Sequence, residues 1–125
     1  MGDNKANKIL IIDDDEQDQK LIKRLLEREG FEDVNTAGSG VDGIFFAEEQ
    51  KPNIILVDTR LPGIDGFETA KRILAIEDIE TKIIIMTGAI EAVDATKARE
   101  SGASQYCAKT KDCAKLILAV KQFVD

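Results

Sequence analysis

The sequence contains no histidine and only two cysteines. Without an imidazole, the chain has no base for Ser–His or Cys–His catalysis and no histidine ligand for a metal ion. The cysteines, Cys107 and Cys113, lack the CxxC spacing of a zinc or redox site, and we interpret them as reduced structural residues. Any chemistry must therefore depend on carboxylates, hydroxyls and lysines, or on a metal ion that prefers oxygen ligands.

Positive charge and long apolar runs are also scarce. The 17 Lys and Arg residues are outnumbered by 24 Asp and Glu residues, which gives a net charge of −7. Direct binding to nucleic acid is not expected, because phosphate contacts require basic side chains. No apolar run approaches the ~20 residues of a membrane-spanning helix, and the polar start does not resemble a signal peptide. We therefore expect a cytoplasmic protein without a membrane partner.

What the chain does have is enough apolar sequence for one core, with 43% hydrophobic residues in a length of 125. Three continuous apolar runs, at residues 9–12, 54–57 and 83–86, predict strands of a parallel sheet that is covered on both faces. The shorter and more polar segments 34–37 and 104–108 predict edge strands.

Apolar residues at helical spacing lie between and after these strands. They predict helices at 21–26, 41–48, 67–74, 93–98 and 116–123. Val41 and Phe45 are among the apolar residues that mark the second of these helices. The strict alternation predicts an α/β fold, a single domain with a doubly wound parallel sheet and right-handed crossovers. We expect residues 1–7 to be a flexible tail and residues 8–125 to be the domain.

Polar residues stand at the carboxyl ends of four predicted strands. They are Asp13, Asp14 and Asp15 after the first strand, Asp58 after the third, Thr87 after the fourth and Lys109 after the fifth. Each alone could be an ordinary cap, turn or solvated strand end, but ligands of open α/β sheets bind at this edge. Clustered carboxylates need a cation among them, and oxygen-only ligands favour Mg²⁺ or Mn²⁺. Such a site suits a phosphoryl group, with Asp58 as a candidate nucleophile.

Four segments resemble the motifs of the receiver domain of two-component response regulators. They are residues 9–15 (ILIIDDD), 57–66 (VDTRLPGIDG), 86–88 (MTG) and 102–109 (GASQYCAK). The similarity extends over about residues 7–125. It implies the CheY-like (flavodoxin-like) (βα)5 fold, whose five parallel strands have the order 2-1-3-4-5.

The resemblance also implies which residues bind metal and phosphate. Asp58 would accept a phosphoryl group in a reaction that depends on Mg²⁺ or Mn²⁺. Asp14 would bind the metal directly and Asp13 mainly through water. Asp58 and the backbone carbonyl of Arg60 would be its other protein ligands. Asp15, the third acid of the run, is expected to cap the first helix.

Further matched residues would carry the response to phosphorylation. Thr87 and Lys109 would bind the phosphoryl oxygens, and the small Gly88 would let Thr87 approach. The rotamer of Tyr106 would then change the face formed by the fourth helix, fifth strand and fifth helix. The domain would be a signalling switch and not an enzyme that turns over a substrate.

The resemblance implies partners as well. The phosphodonor would be a sensor histidine kinase or a phosphotransfer protein. The target would be a downstream protein or an output domain that this sequence lacks, so the chain is either a stand-alone receiver or part of a larger protein. We expect a monomer and leave weak dimerisation after phosphorylation open.

The chain departs from the family pattern after Lys109. The usual proline is replaced by Thr110, so the bond is either trans or a cis non-proline bond that costs ~3–4 kcal/mol. This leaves open an alternative function, a pseudo-receiver that binds proteins without taking phosphate. A phosphatase of the haloacid dehalogenase type is disfavoured, because Arg60 stands where its second aspartate is needed. In the family, the position two residues after Thr87 flanks the route of the hydrolytic water. Here that position is Ala89, which has no group to orient water, so we predict slow loss of phosphate.

Overall fold

The computed structural model describes residues 7–88, 92–110 and 112–124. Ala89 and most of the predicted tail lie outside the described residues. The elements are β1 (Lys8–Ile12), α1 (Glu16–Arg28), β2 (Asp33–Ala37), α2 (Gly40–Gln50), β3 (Ile54–Asp58), α3 (Gly66–Leu74), β4 (Lys82–Thr87), α4 (Ala92–Glu100), β5 (Gln105–Ala108) and α5 (Ala114–Gln122). Every predicted strand and helix is therefore present.

The five strands form one parallel sheet in the order β2-β1-β3-β4-β5. This confirms the α/β class and the strand order, and β2 and β5 are the edge strands as predicted. The register aligns the carboxyl ends of the central strands. Ile12 pairs with Val57, and Asp58 pairs with Met86. Residues that follow these strands are consequently brought to one edge of the sheet.

Alternate residues of each central strand enter two separate cores. Ile9 and Ile11 face the cluster that includes buried residues of α1 and α5. Leu10 and Ile12 face the cluster on the other side, with residues of α2 and α3. Burial of both faces explains why the strand sequences are apolar without alternation. In the described part of the chain, no helix has the length and apolar character needed to cross a membrane.

Helix α2 leaves two of its apolar residues exposed and buries small residues instead. Val41 and Phe45 are 63% and 67% exposed, whereas Gly40, Gly43 and Ala47 are buried. A Cβ atom on Gly43 would lie 2.3 Å from Cδ1 of Ile12, so the helix approaches the sheet more closely than a larger residue would allow. The apolar pattern predicted the position of α2 correctly, but two of the residues in that pattern, Val41 and Phe45, are exposed.

Candidate functional site

The predicted acidic residues converge at the carboxyl edge of the sheet. Carboxylate oxygens of Asp13, Asp14 and Asp58 all lie within 4.8 Å of one another. Asp13 is fully buried, Asp58 is 8% exposed and Asp14 is exposed. They line an open pocket together with Asp15, Asp18, Thr59, Arg60, Thr87, Gly88 and Lys109. Sequence reasoning predicted this pocket but singled out neither Asp18 nor Thr59.

Asp58 is the last residue of β3, and both of its carboxylate oxygens accept hydrogen bonds. The backbone N–H of Arg60 donates to Oδ1 at 3.0 Å, and Nζ of Lys109 donates to Oδ2 at 2.7 Å. The start of α3 passes close behind it, since a Cβ atom on Gly66 would lie 2.0 Å from the Asp58 carbonyl oxygen. The carboxylate is thereby oriented from two sides, while its pocket stays open to a ligand.

The two outer acids of the first motif have structural partners. Oδ1 of Asp13 accepts from the N–H of Asp15 at 3.0 Å. Asp15 in turn caps α1, because its side chain accepts from the N–H groups of Gln17 at 2.8 Å and Asp18 at 3.2 Å. The predicted cap is confirmed. Asp18, whose N–H is capped in this way, lines the pocket.

Lys109 joins three carboxylates. Its Nζ atom lies 2.8 Å from Asp13 Oδ2, 2.7 Å from Asp18 Oδ2 and 2.7 Å from Asp58 Oδ2. Burial by itself would lower the pKa of Lys109, but the hydrogen bonds to these carboxylates outweigh it and raise the pKa well above its ordinary value. The ammonium therefore stays charged throughout the physiological pH range.

The backbone at Lys109 is anchored without a proline. Its N–H donates to the carbonyl oxygen of Thr87 at 2.6 Å. No peptide bond among the described residues is cis, so the Lys109–Thr110 bond is trans. Of the two geometries that the sequence allowed, the structure contains the unstrained one, and Lys109 still reaches Asp58.

Thr87 and Tyr106 lie on the neighbouring strands. The Thr87 hydroxyl is buried and accepts a hydrogen bond of 3.4 Å from the hydroxyl of Thr59. Tyr106 is partly buried against the second core, and its hydroxyl is buried without a partner among the described residues. A Cβ atom on Gly88 would meet nothing within 4 Å. The only sequence signal that Thr59 belongs to the pocket is its position next to Asp58.

The donor set fits a hard divalent cation. It consists of three carboxylates with oxygens close enough to share one ion, and no His or Cys ligand competes with them. The arrangement is also costly without a metal ion, because Asp13 is fully buried and lies near the charge of Asp58. Burial, with a contribution from Asp58, raises the pKa of Asp13 despite its contacts with Lys109 and the Asp15 N–H. The residues therefore suit Mg²⁺, which favours oxygen ligands and retains positions for phosphate oxygens.

Comparison with known proteins agrees with the fold. The family model of the response regulator receiver domain matches residues 9–121. The transcription regulator BvgA of Bordetella pertussis is 31% identical over 115 residues, covering 92% of this chain and 54% of that protein. AfsQ1 of Streptomyces coelicolor is 39% identical over 101 residues, covering 81% of this chain and 44% of that protein. A CheY-like receiver domain from Methanospirillum hungatei superposes with a TM-score of 0.84 at 28% identity, covering 93% of this chain and 91% of that one.

The chain belongs to the receiver domain family of two-component response regulators. A receiver domain is a signalling switch, and its family uses Mg²⁺ at an acidic pocket such as the one described here. The chain spans about half the length of the curated relatives that it matches.

We expect Asp13→Asn to stabilise the protein in the absence of Mg²⁺, by ~0.5–2 kcal/mol, the usual range for a single stabilising substitution. The raised pKa of Asp13 means that its protonated form favours folding below the ordinary value of 3.8 and that this contribution is lost as pH rises through the folded-state pKa. At neutral pH the buried charge is a cost, which asparagine removes. Chemical denaturation at neutral pH will measure the gain.

The matched control for this prediction is Asp14→Asn, since Asp14 is exposed and its charge is solvated. That variant should change the free energy of unfolding little without metal. The advantage of Asp13→Asn should also shrink as the pH is lowered toward the folded-state pKa of Asp13. A destabilised Asp13→Asn protein at neutral pH would contradict the prediction and show that the ion pair with Lys109 outweighs burial.

Proposed function

We propose that this receiver domain accepts a phosphoryl group on Asp58 from a phosphohistidine of a sensor histidine kinase or phosphotransfer protein. The observation that carries the proposal is the contact of Asp58 Oδ2 with Lys109 Nζ at 2.7 Å, in an open pocket that holds two further carboxylates. A carboxylate that is already oriented by a cation and by the Arg60 N–H is ready to attack an electrophile in the pocket.

In this reaction a carboxylate oxygen of Asp58 forms a bond to phosphorus while the phosphorus–nitrogen bond to the donor breaks. The released imidazole keeps the electron pair of that bond and takes up a proton. Lys109 and Thr87 donate to the phosphoryl oxygens, where negative charge accumulates. Asp14, Asp58 and the Arg60 carbonyl would hold Mg²⁺, with Asp13 acting through water, and the ion would supply the remaining positive charge.

The phosphoryl group adds about −1.5 to −2 charge and new acceptor oxygens to the pocket. We propose that Thr87 then leaves Thr59 to donate to one of these oxygens, because only the modified state offers this contact. Tyr106, two residues before the end of β5, would respond to the moved threonine. The surface of α4, β5 and α5 would thereby differ between the two states and report phosphorylation to a partner.

The pseudo-receiver alternative is not supported. Asp58, Lys109 and the two metal-binding candidates Asp13 and Asp14 lie together in one pocket, and the trans bond at Thr110 does not move Lys109 away from Asp58. We also propose a monomeric receiver in the cytoplasm, in keeping with the free, buried Cys107 and Cys113. Its target would be a downstream protein or an output domain, and residues 1–7 would be a tail outside the domain.

The test is the intact mass of the protein after incubation with acetyl phosphate or phosphoramidate, with and without Mg²⁺. We expect one added phosphoryl group that requires Mg²⁺ and is lost in hydroxylamine, as an acyl phosphate should be. Borohydride trapping and peptide mapping should place the modified residue at position 58. A folded protein that gains no mass with any donor would refute the proposal.

A further inference from the structure

Asp18 forms an ion pair with Lys109 but has no role in the proposed phosphoryl transfer. Its Oδ2 atom lies 2.7 Å from Lys109 Nζ, as near as that of Asp58. Asp18 lies in the first turn of α1, and its side chain is 38% exposed, whereas that of Lys109 is only 15% exposed. Among the described residues, it is the carboxylate bonded to Lys109 that falls outside the candidate metal cluster.

The three contacts use the full donor capacity of Lys109. A lysine ammonium has three N–H donors, and Nζ has three carboxylate partners at 2.7 to 2.8 Å. A phosphoryl oxygen on Asp58 can gain a donor from Lys109 only when a carboxylate gives one up. Asp58 loses its own charge in forming the acyl phosphate, but Asp18 keeps its charge and its contact.

We propose that Asp18 competes with the phosphoryl group for Lys109 and so weakens the binding of an anionic group at Asp58. The inference rests on the proposed function. The Asp18 and Asp58 oxygens are no farther apart than twice their 2.7 Å distance to Nζ. At such a separation, water and salt screen the repulsion between like charges only in part. Competition for the Lys109 donor and repulsion of the new anion by Asp18 both weaken the binding of the phosphoryl group.

The opposite role, in which Asp18 assists by steadying Lys109, is disfavoured by the other anchors of this residue. The backbone N–H of Lys109 is fixed to Thr87, and its ammonium is also held by the fully buried Asp13. Lys109 should therefore remain oriented toward Asp58 when Asp18 is replaced by asparagine. Asp18 therefore acts through its competition for Lys109, and it makes the pocket less ready to accept a phosphoryl group.

The experiment compares Asp18→Asn with the wild type in the binding of beryllofluoride, which forms a carboxylate adduct resembling an acyl phosphate. Calorimetric titration with Mg²⁺ present should give a Kd lower by about two- to fivefold in the variant, the range expected for one partly exposed ion pair. The matched control is Glu16→Gln, which removes the same charge from the first turn of α1 but does not line the pocket. It should change the Kd by less than twofold.

An Asp18→Asn variant with an unchanged or higher Kd would overturn the inference. A wild-type protein that binds no beryllofluoride with Mg²⁺ would overturn the proposed function as well, so the two failures are distinguishable. A second readout tests the contact itself. In the ligand-free protein, the Cε and Hε NMR signals of Lys109 should shift in Asp18→Asn and not in Glu16→Gln, and an absence of this shift would also overturn the inference.

Discussion

An Asp58→Asn variant is expected to take up no phosphoryl group from acetyl phosphate, whatever the Mg²⁺ concentration. The amide oxygen of asparagine is a far weaker nucleophile than a carboxylate, and no acyl phosphate can form on it. No other carboxylate of the pocket has the same surroundings. Asp13 is fully buried, and Asp15 is occupied as the cap of α1. The loss should therefore be complete in intact-mass spectra.

The matched control is Asp65→Asn. Asp65 caps α3 by accepting from the N–H of Glu68 at 2.9 Å, and asparagine is an equally good cap. This variant undergoes the same chemical change seven positions along the chain, and its uptake of phosphate should equal that of the wild type. An adduct that persists in folded Asp58→Asn protein would place the modification on another residue.

We expect Gly66→Ala to destabilise the fold by about 3 kcal/mol, at the upper end of overpacking effects. The new Cβ atom would lie 2.0 Å from the carbonyl oxygen of Asp58 and 3.0 Å from Cα of Thr59. Both are backbone atoms, so no side-chain rotation relieves the clash, and the start of α3 must move away from β3. The Gly66 N–H also donates to the Thr59 carbonyl at 3.1 Å, and this bond should be weakened.

The same displacement should disturb Asp58, because its carboxylate depends on the turn that connects β3 to α3. We therefore expect slower phosphoryl uptake in Gly66→Ala protein even under conditions where it remains folded. Gly38→Ala is the control, since a Cβ atom there meets nothing within 4 Å and the φ angle is not in the left-handed region. Its free energy of unfolding should change by less than ~0.5 kcal/mol. Urea denaturation of both variants measures the difference, and equal stabilities would contradict the clash.

Most of the site was accessible from sequence because of where its residues stand relative to the strands. Asp58 and Thr87 end β3 and β4, and Asp13 and Lys109 follow β1 and β5. Once a parallel sheet is predicted, these ends must lie at one edge. The family motifs then implied which of these residues bind metal and phosphate, which their positions along the strands alone would have left open. Asp15, the third acid of the run after the first strand, was expected to cap the first helix, and its hydrogen bonds confirm it.

Other features could not be predicted, because they depend on distances between elements that are far apart in the chain. The ion pair of Asp18 with Lys109 joins α1 to the loop after β5, and the hydroxyl contact of Thr59 with Thr87 joins the loop after β3 to β4. A hint of Asp18 was present, since it lies in the turn capped by Asp15 and so near the carboxyl edge. Its actual partner depended on how Lys109 is oriented.

The sequence by itself determined the alternation of strands and helices, the single domain and the acidic edge of the sheet. These follow from local hydrophobic patterns and from the order of residues along each strand. Only the tertiary structure decided which face of α2 is buried, that the bond before Thr110 is trans, and that Lys109 is shared by three carboxylates. The physical reason is the same in each case. Close packing and charge pairing are decided by the separation of atoms in space, and a separation of a few ångströms is set by the whole fold and not by neighbours in the chain.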